Sequence, residues 1–387
     1  MRRAGRRCGR AGRAGRKGVA TPGRCAAIAV LSGALALGGR PLGSPHWRHP
    51  AEGRGTPAVD ASRVYFLTAH HEVIALSRGS GEVMWRQTTG EPGADTLGSL
   101  VLLSGSVVVA GDRGVHGLDA LTGARLWRFS RADDGGAGAY LGDVADGVVW
   151  VGSRAGRVYG IDAKTGELRR SAIVSGAPET TVFQPIVDAD IVVAGYTTFA
   201  TPQTGGVIAL DRAAGGVRWA HALGGEGGPS GFAGGPVVAG GVVLVSGGDG
   251  RIRALSRETG DLVWELPAVT RPDGRRQERD WRALALRGTL LVAGSLSGVV
   301  SAFDLTTRRE WWRFVLPEGG SVALRLTADG DTVYVPHLGG RLAALSAADG
   351  RVRWQMGGLS DGFSWAPALA GDVAYAAARA GLFALPR

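Results

Sequence analysis

The chain has 387 residues, of which 44% are hydrophobic, so it can bury a sizeable core and is not a disordered chain. Glycine is unusually abundant, at 65 residues, but no Gly-X-Y period is present, which excludes a collagen-like fold. Many glycines among many short apolar runs are typical of short strands joined by tight turns.

The positive charge is concentrated at the N-terminus. The net charge is +10, and residues 1–39 hold nine cationic side chains and no acidic one, which leaves +1 for residues 40–387. Binding to a nucleic acid requires a basic face. The nearly neutral body therefore predicts no nucleic-acid partner.

Residues 1–39 form the first predicted region, a basic leader that contains an apolar run from Ala26 to Leu37. This run is too short to cross a bilayer core of about 30 Å as a helix, and it fits a signal peptide. We therefore expect an extracytoplasmic protein, secreted or in the cell envelope, without a transmembrane helix in the mature body. A disordered basic arm or a misplaced start site is the alternative. Cys25 precedes the apolar run, so no lipid anchor is expected.

Residues 40–387 contain an internal repeat, which is the main structural signal. The pattern Ala-x-Asp-x-x-x-Gly-x-x-x-Trp recurs seven times, at intervals of 42 to 49 residues. The seven copies end at Trp85, Trp127, Arg170, Trp219, Trp264, Trp312 and Trp354.

Each copy follows β-rich runs and glycine turns, which gives four antiparallel strands per repeat, as in one blade of a β-propeller. The predicted second strands of the blades begin near Val64, Val107, Val148, Ile191, Val242, Leu290, Val333 and Val373. The sequence thus predicts an all-β, eight-bladed propeller. The eighth blade has only three strands of its own. We expect the segment around Trp47 to pair onto this blade and close the ring, which removes an exposed edge.

The recurring tryptophans are predicted to be structural. We expect each indole to pack between the glycine turn of its own blade and the adjacent blade, and Trp47 to take the same position in the last blade. Burying such a ring contributes at most about 4–6 kcal/mol. Arg170 replaces the tryptophan in the third copy and Arg308 replaces the glycine in the sixth. We expect a weaker contact between blades at both positions.

This repeat resembles the tryptophan-docking motif of the pyrroloquinoline-quinone (PQQ) repeat propellers, over residues 47–387. One branch of that superfamily comprises the quinoprotein alcohol dehydrogenases, which use PQQ and calcium. Another comprises BamB-like proteins, which are non-catalytic scaffolds of outer-membrane assembly. The body has no cysteine pair and no evident carboxylate cluster, so the resemblance implies the scaffold branch. It implies no catalytic residue, no metal site and no cofactor.

Two loops are candidate partner-binding sites, because loops on a rigid scaffold often carry recognition. The first lies within residues 196–206, where we expect Tyr196 and Phe199 to be exposed. The second is the charged connection 271–282, whose candidate contacts are Arg275, Arg276 and Arg279. The alternative for both loops is a solvated connection without a partner.

The histidines are weaker candidates. His70 and His71 occupy a predicted hairpin turn, where we expect them to be solvated. His46 and His49 flank Trp47 and could point to the same side. A metal site at either pair would need further ligands, which the sequence does not show.

The sequence therefore predicts an exported, non-catalytic propeller, monomeric, that binds an unidentified protein or peptide partner. A PQQ-dependent dehydrogenase-like enzyme and a ligand-sensing or carbohydrate-sensing propeller are the alternatives.

Overall fold

A computed structural model of the chain describes residues 40–41, 44–90, 100–103, 105–111, 114–130, 138–224, 231–267, 281–316, 321–323, 325–357, 362–363 and 365–387. These residues form eight antiparallel sheets arranged as the blades of a propeller. The prediction of an all-β, eight-bladed propeller is confirmed.

Within each of the first four blades, the strands follow one another from the inner to the outer edge. Blade 1 contains β3 (Gly53–Val59), β4 (Arg63–Thr68), β5 (Glu72–Ser77) and β6 (Val83–Thr88). Blade 2 contains β7 (Leu100–Leu103), β8 (Ser106–Gly111), β9 (Gly114–Asp119) and β10 (Arg125–Phe129). Blade 3 contains β11 (Ala139–Ala145), β12 (Val148–Ser153), β13 (Arg157–Asp162) and β14 (Leu168–Ile173). Blade 4 contains a divided inner strand, β15 (Thr180–Val182) and β16 (Ile186–Asp188), then β17 (Ile191–Thr198), β18 (Thr204–Asp211) and β19 (Val217–Ala222).

Blades 5 and 6 repeat this order, and blades 7 and 8 also include N-terminal strands. Blade 5 contains β20 (Phe232–Ala239), β21 (Val242–Gly247), β22 (Ile252–Ser256) and β23 (Leu262–Leu266). Blade 6 contains β24 (Trp281–Arg287), β25 (Leu290–Ser295), β26 (Val299–Asp304) and β27 (Arg309–Val315). Blade 7 contains β28 (Thr327–Asp329), β29 (Thr332–His337), β30 (Arg341–Ser346) and β31 (Val352–Met356), with β1 (Arg40–Pro41) added at its outer edge. Blade 8 contains β32 (Ala368–Ala370), β33 (Val373–Ala378), β34 (Gly381–Pro386) and β2 (Trp47–His49).

The N-terminal strand β2 occupies the outer position of blade 8. It pairs antiparallel with β34, and Trp47 lies opposite Ala384. The same pair of positions recurs in the other blades: Trp85 lies opposite Ala75, and Trp219 lies opposite Ala209. Trp47 therefore stands in the register of the repeat tryptophans.

The hydrophobic core is divided between the blades. Among the described residues it consists of eight clusters, one between each pair of neighbouring blades. The cluster between blades 8 and 1 includes Val64 and Leu76 of blade 1 and Tyr375 and Leu382 of blade 8, with Trp47 packed against it. Each blade thus buries its two faces against its two neighbours.

The structure corrects the predicted environment of the indoles, because the turn glycine that faces the ring belongs to the next blade in five copies. These are the copies at Trp47, Trp85, Trp127, Trp219 and Trp312. Gly123 of blade 2 has φ +76°, and a Cβ built on it would lie 2.6 Å from the Trp85 ring of blade 1. Gly260 of blade 5 stands in the same relation to Trp219 of blade 4. The indole nitrogen of Trp85 also donates to the backbone oxygen of Ala120 in blade 2, at 3.0 Å. The glycine is required here because it leaves room for the ring and adopts a positive φ.

The two residues that depart from the repeat pattern still contact the neighbouring blade. Arg170 lies against Gly215 of blade 4, and its Nε donates to the backbone oxygen of Ala213 in the same turn, at 2.5 Å. Arg308 adopts φ +57°, and its guanidinium carbon lies 5.5 Å from the centroid of the Trp264 ring. Trp264 is only half-buried, whereas Trp219 is 6% exposed.

Candidate functional site

The strand order divides the turns of each blade between two faces of the ring. Because the strands of a blade are antiparallel, the connection that enters its first strand and the turn between its second and third strands lie at the same end. We call this end the loop face. The opposite end carries the turns that contain the repeat pattern, and we call it the motif face. The long connections between blades and the β17–β18 hairpin of blade 4 both lie on the loop face.

The longest described hairpin on the loop face belongs to blade 4. Its strands β17 and β18 each have eight residues, whereas the equivalent strands of the other blades have five or six. Their register is continuous from Ile191 opposite Asp211 to Thr198 opposite Thr204. The two extra residue pairs extend the hairpin beyond its neighbours.

This hairpin is held to the next blade and to its own inner strand. The Thr197 hydroxyl donates to the backbone oxygen of Phe232 at 3.2 Å, and it accepts from the backbone nitrogen of Phe232 at 3.0 Å. The hydroxyls of Thr198 and Thr180 lie 2.8 Å apart and are buried. The backbone nitrogen of Phe199 donates to the backbone oxygen of Glu179 at 3.1 Å. These four contacts give the hairpin tip a fixed position.

A row of aromatic rings from three blades lies beneath the hairpin. Tyr140 of blade 3 and Phe183 of blade 4 have ring centroids 5.7 Å apart, and Phe183 stacks on Phe232 of blade 5 at 5.4 Å. Gly195 allows this approach, since a Cβ on it would lie 2.1 Å from the Phe232 ring. Aromatic pairs at these separations are attractive beyond the area that they bury. The row joins blades 3, 4 and 5 into a rigid base for the loop.

The residues predicted to be exposed in the first candidate loop differ in their observed positions. Phe199 is 53% exposed at the hairpin tip. Tyr196 is half-buried, opposite Gly206 in the ladder, and burial raises the pKa of its hydroxyl, so the expected exposure of Tyr196 is wrong. Arg275, Arg276 and Arg279 lie outside the described residues. Within the described range, the blade 4 hairpin is therefore the candidate partner-binding site.

The histidines do not form a site together. His70 is exposed, but His71 has φ +59° and is 2% exposed, so the expectation that both are solvated is wrong for His71. His46 is exposed, whereas His49 is half-buried with its ring 5.8 Å from that of Phe66, and burial lowers the pKa of His49. In the part of the chain that is described, no three His, Cys, Asp or Glu side chains are grouped as metal ligands.

A recurring arginine between blades was missed at the level of sequence. Arg257 follows the Ala-Leu-Ser of its repeat, and its Nε donates to Asp188 of blade 4 at 2.7 Å. It also donates to Asp190, and this bond, with another from Arg218, lowers the pKa of the Asp190 carboxyl. Arg212, at the same repeat position, pairs with Asp146 of blade 3 at 3.0 Å.

Two further arginines stand at this position, Arg78 of blade 1 and Arg387 of blade 8. Arg387 donates to the Tyr334 hydroxyl of blade 7 at 3.2 Å. All four side chains thus reach the preceding blade. The sequence signal is Ala-Leu-x-Arg, which occurs in four copies and whose arginine is not part of the pattern that ends at the tryptophans.

No described segment is a helix long and apolar enough to cross a membrane.

Comparison with known proteins identifies the family. The family model described as outer membrane protein assembly factor BamB matches residues 32–194, 179–298 and 296–385. The protein of that name from Bordetella pertussis is 34% identical over 161 residues, which cover 41% of this chain and 38% of the relative. The one from Yersinia pestis is 28% identical over 277 residues, which cover 66% of this chain and 65% of the relative. The matched part of the chain thus spans less than two thirds of these two relatives.

Solved structures agree on the fold. BamB from Moraxella catarrhalis is 20% identical, with a TM-score of 0.55 over 78% of this chain and 81% of that one. The quinohemoprotein alcohol dehydrogenase from Comamonas testosteroni is 15% identical, with a TM-score of 0.64 over 86% of this chain and 72% of that one. At these identities the likeness shows the fold alone. Because the family model spans well over half of the sequence, the chain belongs to the family of PQQ-repeat propellers described as outer membrane protein assembly factor BamB.

Proposed function

We propose that this chain is an exported, non-catalytic scaffold that binds a protein partner in the cell envelope, where it assists the assembly of outer-membrane proteins. The relatives that carry the name outer membrane protein assembly factor support this role. The leader predicted in residues 1–39 supports export.

The structure of the blade 4 hairpin is the main support for the proposed binding site. Phe199 exposes 53% of its surface at the tip of a hairpin that Thr197, Thr198 and the backbone of Phe199 itself hold in place. A rigid exposed aromatic side chain loses little conformational entropy on binding and is a common anchor of protein interfaces. We propose that Phe199 inserts into an apolar pocket of the partner.

Site-specific photocrosslinking in the source cell tests this site. The full chain would carry p-benzoylphenylalanine in place of Phe199, and a matched variant would carry it in place of Leu121. Leu121 is 64% exposed but lies in a turn on the motif face. We expect position 199 to give a discrete crosslinked protein, identified by mass spectrometry, that position 121 does not give. The same crosslinks from both positions would contradict the proposal.

Titration with PQQ and calcium separates the scaffold from an enzyme. We expect no change in PQQ absorbance when purified chain is added. Binding with micromolar or better affinity would overturn the non-catalytic role.

A fusion of alkaline phosphatase after residue 387 tests export, because that enzyme is active only outside the cytoplasm.

A further inference from the structure

The outermost strand of seven blades contains a β-bulge directly before the tryptophan position. In blade 6, Glu310 lies opposite Phe303 and Trp312 lies opposite Ala302, so Trp311 has no partner in the ladder. A bulge re-aims the side chain of the extra residue. The equivalent bulge residues of the seven blades are Met84, Leu126, Arg169, Arg218, Val263, Trp311 and Arg353.

These bulge residues fall into two classes. The three arginines bind carboxylates of this chain, as Arg169 does with Asp162 at 2.9 Å and Arg218 with Asp211 at 2.6 Å. The four apolar residues face solvent, with exposures from 49% for Met84 to 65% for Trp311. The rim of the ring therefore carries apolar side chains that the described chain leaves uncovered.

Trp311 differs from the other three because it is held in place. Its indole nitrogen donates to the backbone oxygen of Ala348 in blade 7 at 2.9 Å. A large exposed ring that is already ordered has the properties of an interface hot spot. Trp311 therefore has a pre-organised position on the rim.

The backbone beside Trp311 offers an open strand edge. The outer strand β27 is the longest of the outer strands, at seven residues, and its outer edge pairs with no strand in the described part of the chain. In blade 7 the equivalent edge is occupied, since Arg40 and Pro41 pair in parallel with Trp354 and Gln355. This edge of a blade can therefore accept an extended segment, as in strand addition.

The charges near this edge favour an acidic segment. Arg309 and Arg313 lie near Trp311 in the outer strand β27, where both are exposed, and Glu310 is the acidic residue of that strand. Glu310 is engaged by Arg313 at 2.7 Å. Strand β27 thus carries two arginines and one glutamate, a positive balance of charge.

We propose that the outer edge of blade 6 binds an extended, acidic peptide segment of a partner protein by strand addition, with Trp311 as the side-chain anchor. This surface lies on the rim, so it is a second site, separate from the blade 4 hairpin.

Fluorescence anisotropy with the full chain tests the proposal. The probe is a fluorescein-labelled peptide of about ten residues, the length of a long strand, in which valine alternates with aspartate and threonine. We expect Trp311→Ala to weaken binding by about tenfold or more. Met84→Ala, at the same repeat position of blade 1, is the matched control and should leave the affinity unchanged. A peptide with lysine in place of aspartate should bind more weakly to the unmodified chain. Equal losses in both alanine variants, or no preference for aspartate, would overturn the proposal.

Hydrogen exchange supplies a second readout that does not depend on how the variants fold. The peptide should slow exchange of backbone amides in residues 312–315 of the unmodified chain, and no such protection would contradict strand addition. Binding of phosphatidylglycerol vesicles that requires Trp311, without binding of the peptide, would also overturn it by indicating a membrane surface. Phe199→Ser should leave peptide binding unchanged, so this site and the proposed partner site can fail separately.

Discussion

The indole nitrogen of Trp47 donates a hydrogen bond to the backbone oxygen of Arg78 at 3.0 Å. Trp47 lies in the outer strand of blade 8, and Arg78 lies in the first repeat turn of blade 1. The Arg78 guanidinium reaches back to blade 8, where it donates to the backbone oxygen of Ala370 at 3.1 Å and to the Tyr375 hydroxyl at 3.2 Å. The first and last blades are thus linked in both directions through Arg78.

Deletion of residues 40–50 should promote aggregation. The deletion removes β2 and leaves the edge of β34 unpaired, and an unpaired edge is a template for pairing with another chain. Size-exclusion chromatography with light scattering measures the result. Trp47→Ala, which keeps the backbone pairing, should remain monomeric and lose stability only. A deletion variant that stays monomeric would count against ring closure by this segment.

Trp219→Ala should reduce the free energy of unfolding by about 3–5 kcal/mol, because it removes a buried ring between blades 4 and 5. Arg170→Ala should cost about 1 kcal/mol, since an exposed side chain loses a single hydrogen bond to the next blade. Urea unfolding monitored by far-ultraviolet circular dichroism compares the two variants. Equal unfolding midpoints would show that the indole position is not a main source of stability.

Gly81→Ala should destabilise the chain more than Gly79→Ala, in the same turn. Gly81 has φ +74°, and a Cβ on it would lie 2.7 Å from the Trp47 ring, whereas a Cβ on Gly79 would meet no atom within 4 Å. We expect a loss of about 2 kcal/mol or more for Gly81→Ala, from backbone strain and overpacking together. Thermal unfolding of both variants measures the difference, and similar melting temperatures would contradict the close contact.

His116 should make the chain less stable in mild acid. Burial, with Arg128 and Arg125 nearby, lowers the pKa of His116 to about 4, whereas an unfolded histidine titrates near 6.5. Between these values the unfolded chain binds more protons, so the free energy of unfolding falls as the pH drops from about 6.5 to 4, by at most about 1.4 kcal/mol per pH unit.

His116→Gln, which does not titrate, should show a shallower dependence of stability on pH over this interval. Denaturant titrations at half-unit steps of pH measure both slopes. The control is His70→Gln, the same substitution at an exposed histidine. Identical slopes for the chain with and without His116 would refute its buried, neutral state.

The blades could be predicted from the sequence because their signals are local. Strands β12, β17 and β33 begin at Val148, Ile191 and Val373, where they were predicted to begin. Turn glycines and alternating apolar residues lie a few positions from the strands that they delimit. The repeat then fixes the number of sheets.

Contacts between repeats could not be predicted from such local signals. Trp85 is four residues from Gly81 but packs on Gly123, which lies in the next blade, and spacing along the chain does not distinguish the two. Tyr196 was misplaced because the ladder of blade 4 continues to Thr198, past the usual end of this hairpin. Phe199, one residue further, lies at the tip and is exposed as predicted.

Blade 8 combines the earliest and the latest segments of the described chain, since β2 pairs with β34 across more than 300 residues. During synthesis, Trp47 is made long before its partner Ala384. The growing polypeptide must therefore keep β2 unpaired, or paired elsewhere, until β34 has been made. Completion of the disc should be the last step of folding, and a nascent chain stalled before residue 381 should bind chaperones more strongly than the released protein does.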